Sequence, residues 1–185
     1  MLQVLRVEAP AARPQVVVLA FIDDDLDRAT TAFRPVEGMN KPRFVVEGDS
    51  LRLQRPEDRP HPAVLLVERH SGVAGLLRRT DRALGRGGRG RWWGVVGGIM
   101  DAIARESVAQ RAALVAVRLP TRGAEPFPAL ERHFADLGVP YLDLATPARG
   151  GLHFATDDHI NDAGHRWVAD ALIPVVSTLL STASP

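Results

Sequence analysis

The chain has 185 residues, 45% hydrophobic and 24% charged, which is enough to bury one substantial core as a single domain spanning 1–185. With 23 Lys and Arg against 22 Asp and Glu, the net charge of +1 gives no reason to expect nucleic acid or an anionic membrane as partner. The absence of cysteine excludes disulfides and thiolate chemistry, and the longest early apolar run, Val16 to Ile22, is too short to cross a bilayer, so the sequence as written reads as cytoplasmic.

Apolar residues Leu2, Leu5 and Ala9 predict a short N-terminal helix that breaks at Pro10. Gln15 to Phe21 (QVVVLAF) is an unbroken, β-branched run, the pattern of a parallel strand covered on both faces. Asp23, Asp24 and Asp25 follow at its carboxyl end, where open α/β sheets place their ligands. They read equally as acids at a solvated helix N-terminus.

From Thr30 to Pro62 the sequence turns to Pro, Gly and charge, and Glu47-Gly48-Asp49-Ser50 between two short apolar pieces predicts an inserted β-hairpin. Leu65 to Leu84 carries Val73, Leu76, Leu77 and Leu84 at helical spacing. The basic run Gly85 to Arg91 lacks interleaved aromatics and reads as a flexible loop rather than an RNA-binding tract. Trp92 to Gln110 is a predicted helix with Val95, Val96, Ile99 and Ile103 on one side, weakened by Gly97 and Gly98, its two tryptophans serving as core and rim.

Ala113 to Leu119 is a second buried strand stopped by Pro120. Leu130, Phe134 and Leu137 mark a helix that Gly138 ends, and Val139 to Leu144 is a third strand. The last helix runs from about Asp162 to Leu180, with Val168, Leu172, Val175, Val176 and Leu179 on its buried face. This alternation predicts a three-layer α/β/α sandwich with a parallel sheet, the 30–62 hairpin being an excursion from it.

The loop Asp157-Asp158-His159-Ile160-Asn161-Asp162-Ala163-Gly164-His165 enters that last helix. A histidine titrates near neutrality, and one oriented by a carboxylate two residues earlier is suited to move a proton to and from a nucleophile. Asn161 and His165 read as the cap and packing of the helix. A metal site built from His153, Asp157, Asp158, His159 and His165 is a third reading that no known ligand spacing supports.

The block TDDHINDAGHRWVADAL resembles the C-terminal block of SGNH (GDSL-type) hydrolases, and RPQVVVLAFIDDDLDR resembles the strand and turn of their third block. The likeness runs along nearly the whole chain but covers the later part of the family's flavodoxin-like fold, so it implies an N-terminally incomplete version. It lacks the strand ending in Gly-Asp-Ser that carries the nucleophile. The resemblance implies a serine ester hydrolase or O-acyl transferase acting on a small-molecule acyl ester or acetylated carbohydrate, with no cofactor or metal. His159 would be the general base and Asp157 its orienting carboxylate in the Asp-x-His register.

Two departures from the family pattern follow. Asp24 occupies the position where the family's third block supplies a side-chain amide to the oxyanion, and a carboxylate could serve there only if protonated, which crowding by Asp23 and Asp25 would favour. The literal Gly48-Asp49-Ser50-Leu51 offers Ser50 as a nucleophile, but it lies between two strand-like pieces, without the strand-to-helix turn that aims backbone N–H groups at an oxyanion. A hairpin turn is therefore the expected role of Ser50. The alternative to a hydrolase is a pseudoenzyme or ligand-binding module that kept the cleft and lost the nucleophile. In the family's sheet the missing first strand lies beside Val16 to Phe21. That edge is expected to make the chain poorly soluble or to pair with another strand, from its own N-terminus or a second chain.

Overall fold

The computed structural model describes residues 1–31, 33–34, 39–40, 42–48, 50–55, 72–145 and 150–183. Their contacts gather into two compact units, the first Met1–Asp23, Asp101–Pro126 and Glu131–Pro185, the second Asp24–Met100 and Phe127–Leu130. Residues 65–71 of the Leu65 to Leu84 prediction, Asp49, and the side chains of Val73 and Leu77 lie outside the described residues.

The first unit is built on a parallel three-stranded sheet. Helix α1 (Leu2–Ala12) leads into β1 (Val16–Phe21). The helix does not break at Pro10 as predicted: Pro10 costs one backbone donor, and Arg13 N–H still reaches Ala9 O at 2.8 Å. It ends where Arg13 turns left-handed, φ 47°, immediately before Pro14, whose ring disfavours helical geometry in the preceding residue. β1 pairs in parallel with β6 (Ala113–Arg118), which pairs in parallel with β7 (Tyr141–Asp143), giving the order β1-β6-β7.

Central β6 buries every residue from Leu114 to Arg118, as its consecutive apolar side chains require when both faces are covered. β1 departs from the sequence expectation. Leu19 and Phe21 are buried, but on the opposite face Val18 is 43% exposed and Ala20 is open, so that face is not covered among the described residues, where β6 is the strand beside β1.

Helix α4 (Gly90–Ala109) contributes Ile103 and the buried Ser107 to this unit, and α5 (Pro128–Asp136) contributes Phe134, stacked on Tyr141 at 5.1 Å. Gly138, φ 65°, ends the last turn of α5 as expected. The last helix, α6 (Asp162–Ala183), touches β1 and β6. Val168, Leu172, Val175, Val176 and Leu179 are only half-buried there, short of the buried face predicted for them. A 22-residue helix is roughly 33 Å long, whereas a six-residue strand reaches roughly 20 Å, so the sheet is too small to cover it.

The second unit begins with α2 (Asp23–Thr30), whose first residue still belongs to the sheet unit. The short strands β2 (Phe33–Arg34) and β3 (Met39–Asn40) pair antiparallel, and β4 (Arg43–Glu47) and β5 (Ser50–Gln54) form the predicted hairpin. Gly48 takes φ 60° in its turn, with Glu47 opposite Ser50. Helix α3 (Gly72–Arg86) follows, with Leu76 and Leu84 exposed.

The glycines weaken α4 in isolation, and packing does not require those at 94 and 98: a Cβ on Gly98 would stand 3.5 Å from Leu51 Cδ1 and one on Gly94 3.8 Å from Val46 Cγ2, both ordinary contacts. The expected flexible loop at Gly85 to Arg91 is instead a tight helix–helix turn. Gly85 is covered by the Trp92 ring so closely that a Cβ would clash, and the Asp81 carboxylate accepts a 3.0 Å hydrogen bond from Trp92 N at the start of α4. Trp92 is buried and stacks on Phe127 at 5.7 Å while Trp93 is half-exposed, the core-and-rim arrangement predicted. No helix among the described residues is long and apolar enough to cross a membrane.

Candidate functional site at the carboxyl edge of the parallel sheet

The strand register brings Phe21, Arg118 and Asp143 into one row at the carboxyl ends of β1, β6 and β7. Arg118 is fully buried there, donating to Asp23 through Nε at 2.7 Å and Nη2 at 2.9 Å, to Asp143 at 3.1 Å and to the Glu125 carbonyl at 2.9 Å. Burial opposes the charge, but the hydrogen bonds and charges of Asp23 and Asp143 outweigh it and hold the guanidinium pKa above its usual range. A buried charge is tolerated only with such partners, and removing one of them typically costs about 3–5 kcal/mol. Sequence reading missed this triad. Its signal was present, since an arginine ends one apolar strand run and an acid lies at or just beyond the end of each of the other two.

Beyond this row the chain leaves β7 and returns through residues 150–161. Leu152 is buried, and His153 and Ile160 form an antiparallel bridge that pinches the loop. Asn161 does what its place before the helix predicts: Oδ1 accepts from Gly164 N at 3.0 Å, and Nδ2 donates to the carbonyls of Gly151 and His153 at 3.0 and 2.9 Å. Gly164 is required, because a Cβ there would lie 2.4 Å from the Leu152 carbonyl oxygen. His165 is exposed on α6, so the packing role expected of it is corrected: its ring points into solvent.

At the loop tip Asp157 and His159 come together as predicted. Asp157 Oδ1 accepts the His159 backbone N–H at 2.8 Å and lies 3.3 Å from the imidazole Nδ1. The backbone hydrogen bond, with the neighbouring charges of His159 and Arg122, holds the Asp157 carboxyl below its ordinary pKa. With Nδ1 on the carboxylate, Nε2 is the nitrogen left to exchange a proton with a substrate or nucleophile. Both side chains are open to solvent, His159 87% exposed and Asp157 52%. An Asp–His contact alone does not define a site, as Asp101 and His133, 3.0 Å apart on α4 and α5, illustrate. What distinguishes the Asp157–His159 loop is that His153 at its base and Arg122, which bonds the Phe154 carbonyl, line a cleft, although Asp157 and His159 are not themselves in that lining.

That cleft, about 320 Å³, is lined by Pro120, Thr121, Leu144, Ala145, Gly151 and His153, with Arg122 at its rim. It lies past the carboxyl ends of β6 and β7, where parallel sheets bind ligands, and its size suits a small molecule. His153, weighed in sequence only as a metal ligand, is half-buried in the wall, its Nε2 3.3 Å from the Pro120 carbonyl. Among the described residues Thr121 is the hydroxyl-bearing residue of this lining, its Oγ1 donating to Leu119 O at 3.1 Å. Among the described residues no three His, Asp or Glu side chains gather as a metal site, so the five-residue metal reading finds no assembled ligand set.

The other two predicted residues belong to the second unit. Asp24, in the first turn of α2, is bridged by Arg28 at 2.5 Å, and Arg28 also reaches Asp25 at 3.5 Å. With Asp23 on Arg118, each of the three acids has a cation, and the uncompensated crowding invoked for Asp24 is absent. For Asp24 and Asp25 the helix N-terminus reading holds. Ser50 begins β5 opposite Glu47, exposed, with Oγ donating to the Glu47 carbonyl at 2.9 Å, a hairpin-turn serine with no helix following it. Comparison of the chain with protein-family profiles, with curated proteins and with solved structures returned no match.

Proposed function

We propose that this chain is an ester-hydrolase domain of SGNH type in which Asp157 and His159 form the acid–base half of the site. His159 Nε2 takes the proton of an attacking hydroxyl and returns it to the leaving alcohol, while Asp157 fixes the Nδ1 tautomer and stabilises the imidazolium. The observation that carries this reading is the Asp157–His159 contact beside a small cleft at the carboxyl edge of a parallel sheet. A small acyl ester or acetylated carbohydrate is the substrate class, the acyl group entering the Pro120–Ala145 cleft. The three-layer α/β/α architecture belongs to the same proposal, supported by the parallel β1-β6-β7 sheet and its helices.

A second reading, a ligand-binding module without turnover, is favoured by two observations. The serine offered by the literal Gly-Asp-Ser is committed to a hairpin turn, and the oxyanion-block residue Asp24 is committed to Arg28. Hydrolysis of a short-chain aryl acetate by the purified protein, run beside His159→Ala and Ser50→Ala with a serine-reactive phosphonate, separates the two. The hydrolase reading expects His159→Ala to lower turnover by about 10²–10⁴-fold and Ser50→Ala to leave it unchanged. Equal turnover in wild type and His159→Ala would refute it, and absence of both turnover and labelling would leave the binding module. Labelling at Ser50 or Thr121 would identify the nucleophile directly.

A further inference from the structure

The tip of the Asp157–His159 loop has little to hold it. Every residue from Phe154 to His159 is exposed, and the bonds within the loop are local: Phe154 N to His159 O at 3.0 Å and His159 N to Asp157. Among the described residues, the polar contact to this stretch from elsewhere in the chain comes from one side chain, Arg122, in the turn after β6. Its Nη2 donates to the Phe154 carbonyl at 2.6 Å, and its Nε lies 3.6 Å from Asp158 Oδ1. The carbonyl contact sits at the base of the tip and the carboxylate contact beside Asp157, so one planar guanidinium spans the loop.

We infer that Arg122 is the positioning residue of this site: it ties the 154–159 loop to the rim of the cleft and so fixes where the Asp157–His159 pair faces. The inference rests on the proposed function only for what the pair does. The tie itself can be measured without turnover. Arg122 touches neither His159 nor any atom assigned to proton transfer, and it acts through the loop. The His159 backbone hydrogen bond is the main influence keeping Asp157 ionised, and the Arg122 charge adds the least to it.

The test is amide hydrogen exchange of Phe154 and His159, with NMR titration of the Asp157 carboxyl, in wild type, Arg122→Gln, Arg122→Lys and Asp158→Asn. A half-exposed ion pair and hydrogen bond of this kind supplies a factor of about five in the loop-opening equilibrium. Protection of the two amides is therefore expected to fall by about that factor in Arg122→Gln, while the Asp157 titration, held down chiefly by the His159 backbone N–H, moves up only slightly. Arg122→Lys is expected not to restore the protection, because an ammonium keeps the charge and loses the two-point grip. Asp158→Asn is expected to fall between Arg122→Gln and wild type. Unchanged exchange of β6 amides, Val115 and Val117, confirms that the sheet is intact. Unaltered protection and titration in Arg122→Gln would overturn the inference, as would an ester-hydrolysis defect in that variant without any loosening of the loop.

Discussion

Tyr141 shows how the buried charge network shapes a neighbour. It is the chain's single tyrosine, stacked on Phe134 in β7, and burial first, then the Asp143 carboxylate, push its phenol well above the ordinary value of about 10. The folded state therefore keeps a proton that the unfolded chain gives up. Any stability this group contributes is fully present below about pH 10 and is lost as pH rises from there through the raised folded value. A native protein titrated into alkali is expected to show no tyrosinate absorbance until it unfolds, the two transitions coinciding. Ionisation in the ordinary range with native circular dichroism intact would show the hydroxyl to be hydrated. Tyr141 was not legible as a special residue in the sequence, and Arg118 gave only the signal of a charge closing an apolar run, because their partners are set by strand register: Ala116 opposite Tyr141, Arg118 opposite Asp143.

Among the elements, the entry to α6 is where sequence and structure agree most closely. Asn161 just before the last helix announced a cap, and the structure adds that Asn161 also ties the two returning strands of the 150–161 loop through the Gly151 and His153 carbonyls. Asn161→Ala is expected to cost about 2 kcal/mol in urea denaturation, roughly 1 for the cap and the rest for two lost donors. Asn161→Asp, which keeps the cap acceptor, is expected to cost about half as much; a change below about 0.5 kcal/mol for Asn161→Ala would mean that the helix carries its own start. The hairpin, the strands and the helix ends at Gly138 and Asn161 were readable because each depends on local turn or capping chemistry. The Gly85 to Arg91 turn was not, since its shape depends on a Trp92 ring and an Asp81 carboxylate brought in by the helix pairing. Burial across β1 and α6 was misread for a related reason: periodicity reports which face is apolar, not whether enough structure exists to cover it.

At the scale of the molecule, the edge of the parallel sheet decides behaviour in solution. Gln15 O accepts from Ala113 N and Phe21 O from Leu119 N, so the odd-numbered residues of β1 turn their ladder groups toward β6. In a parallel ladder the alternate residues, Val16, Val18 and Ala20, then direct N–H and C=O away from β6, along an edge that has no strand beside it among the described residues. The same residues present the open apolar face, Val18 being 43% exposed. An unblunted edge of this kind invites strand addition, and an inserted lysine is the usual remedy. The protein is therefore expected to self-associate in sedimentation velocity as its concentration rises, and Val18→Lys to return it to a monomer without loss of helix signal. Exchange should report the same event: the Val16, Val18 and Ala20 amides become protected on association, while those of Val17 and Leu19, already bonded to β6, do not change. A wild-type monomer at every concentration, with those three amides in fast exchange, would show that the edge is shielded by side chains alone. A monomer with the three amides fully protected would place a strand of the same chain beside β1.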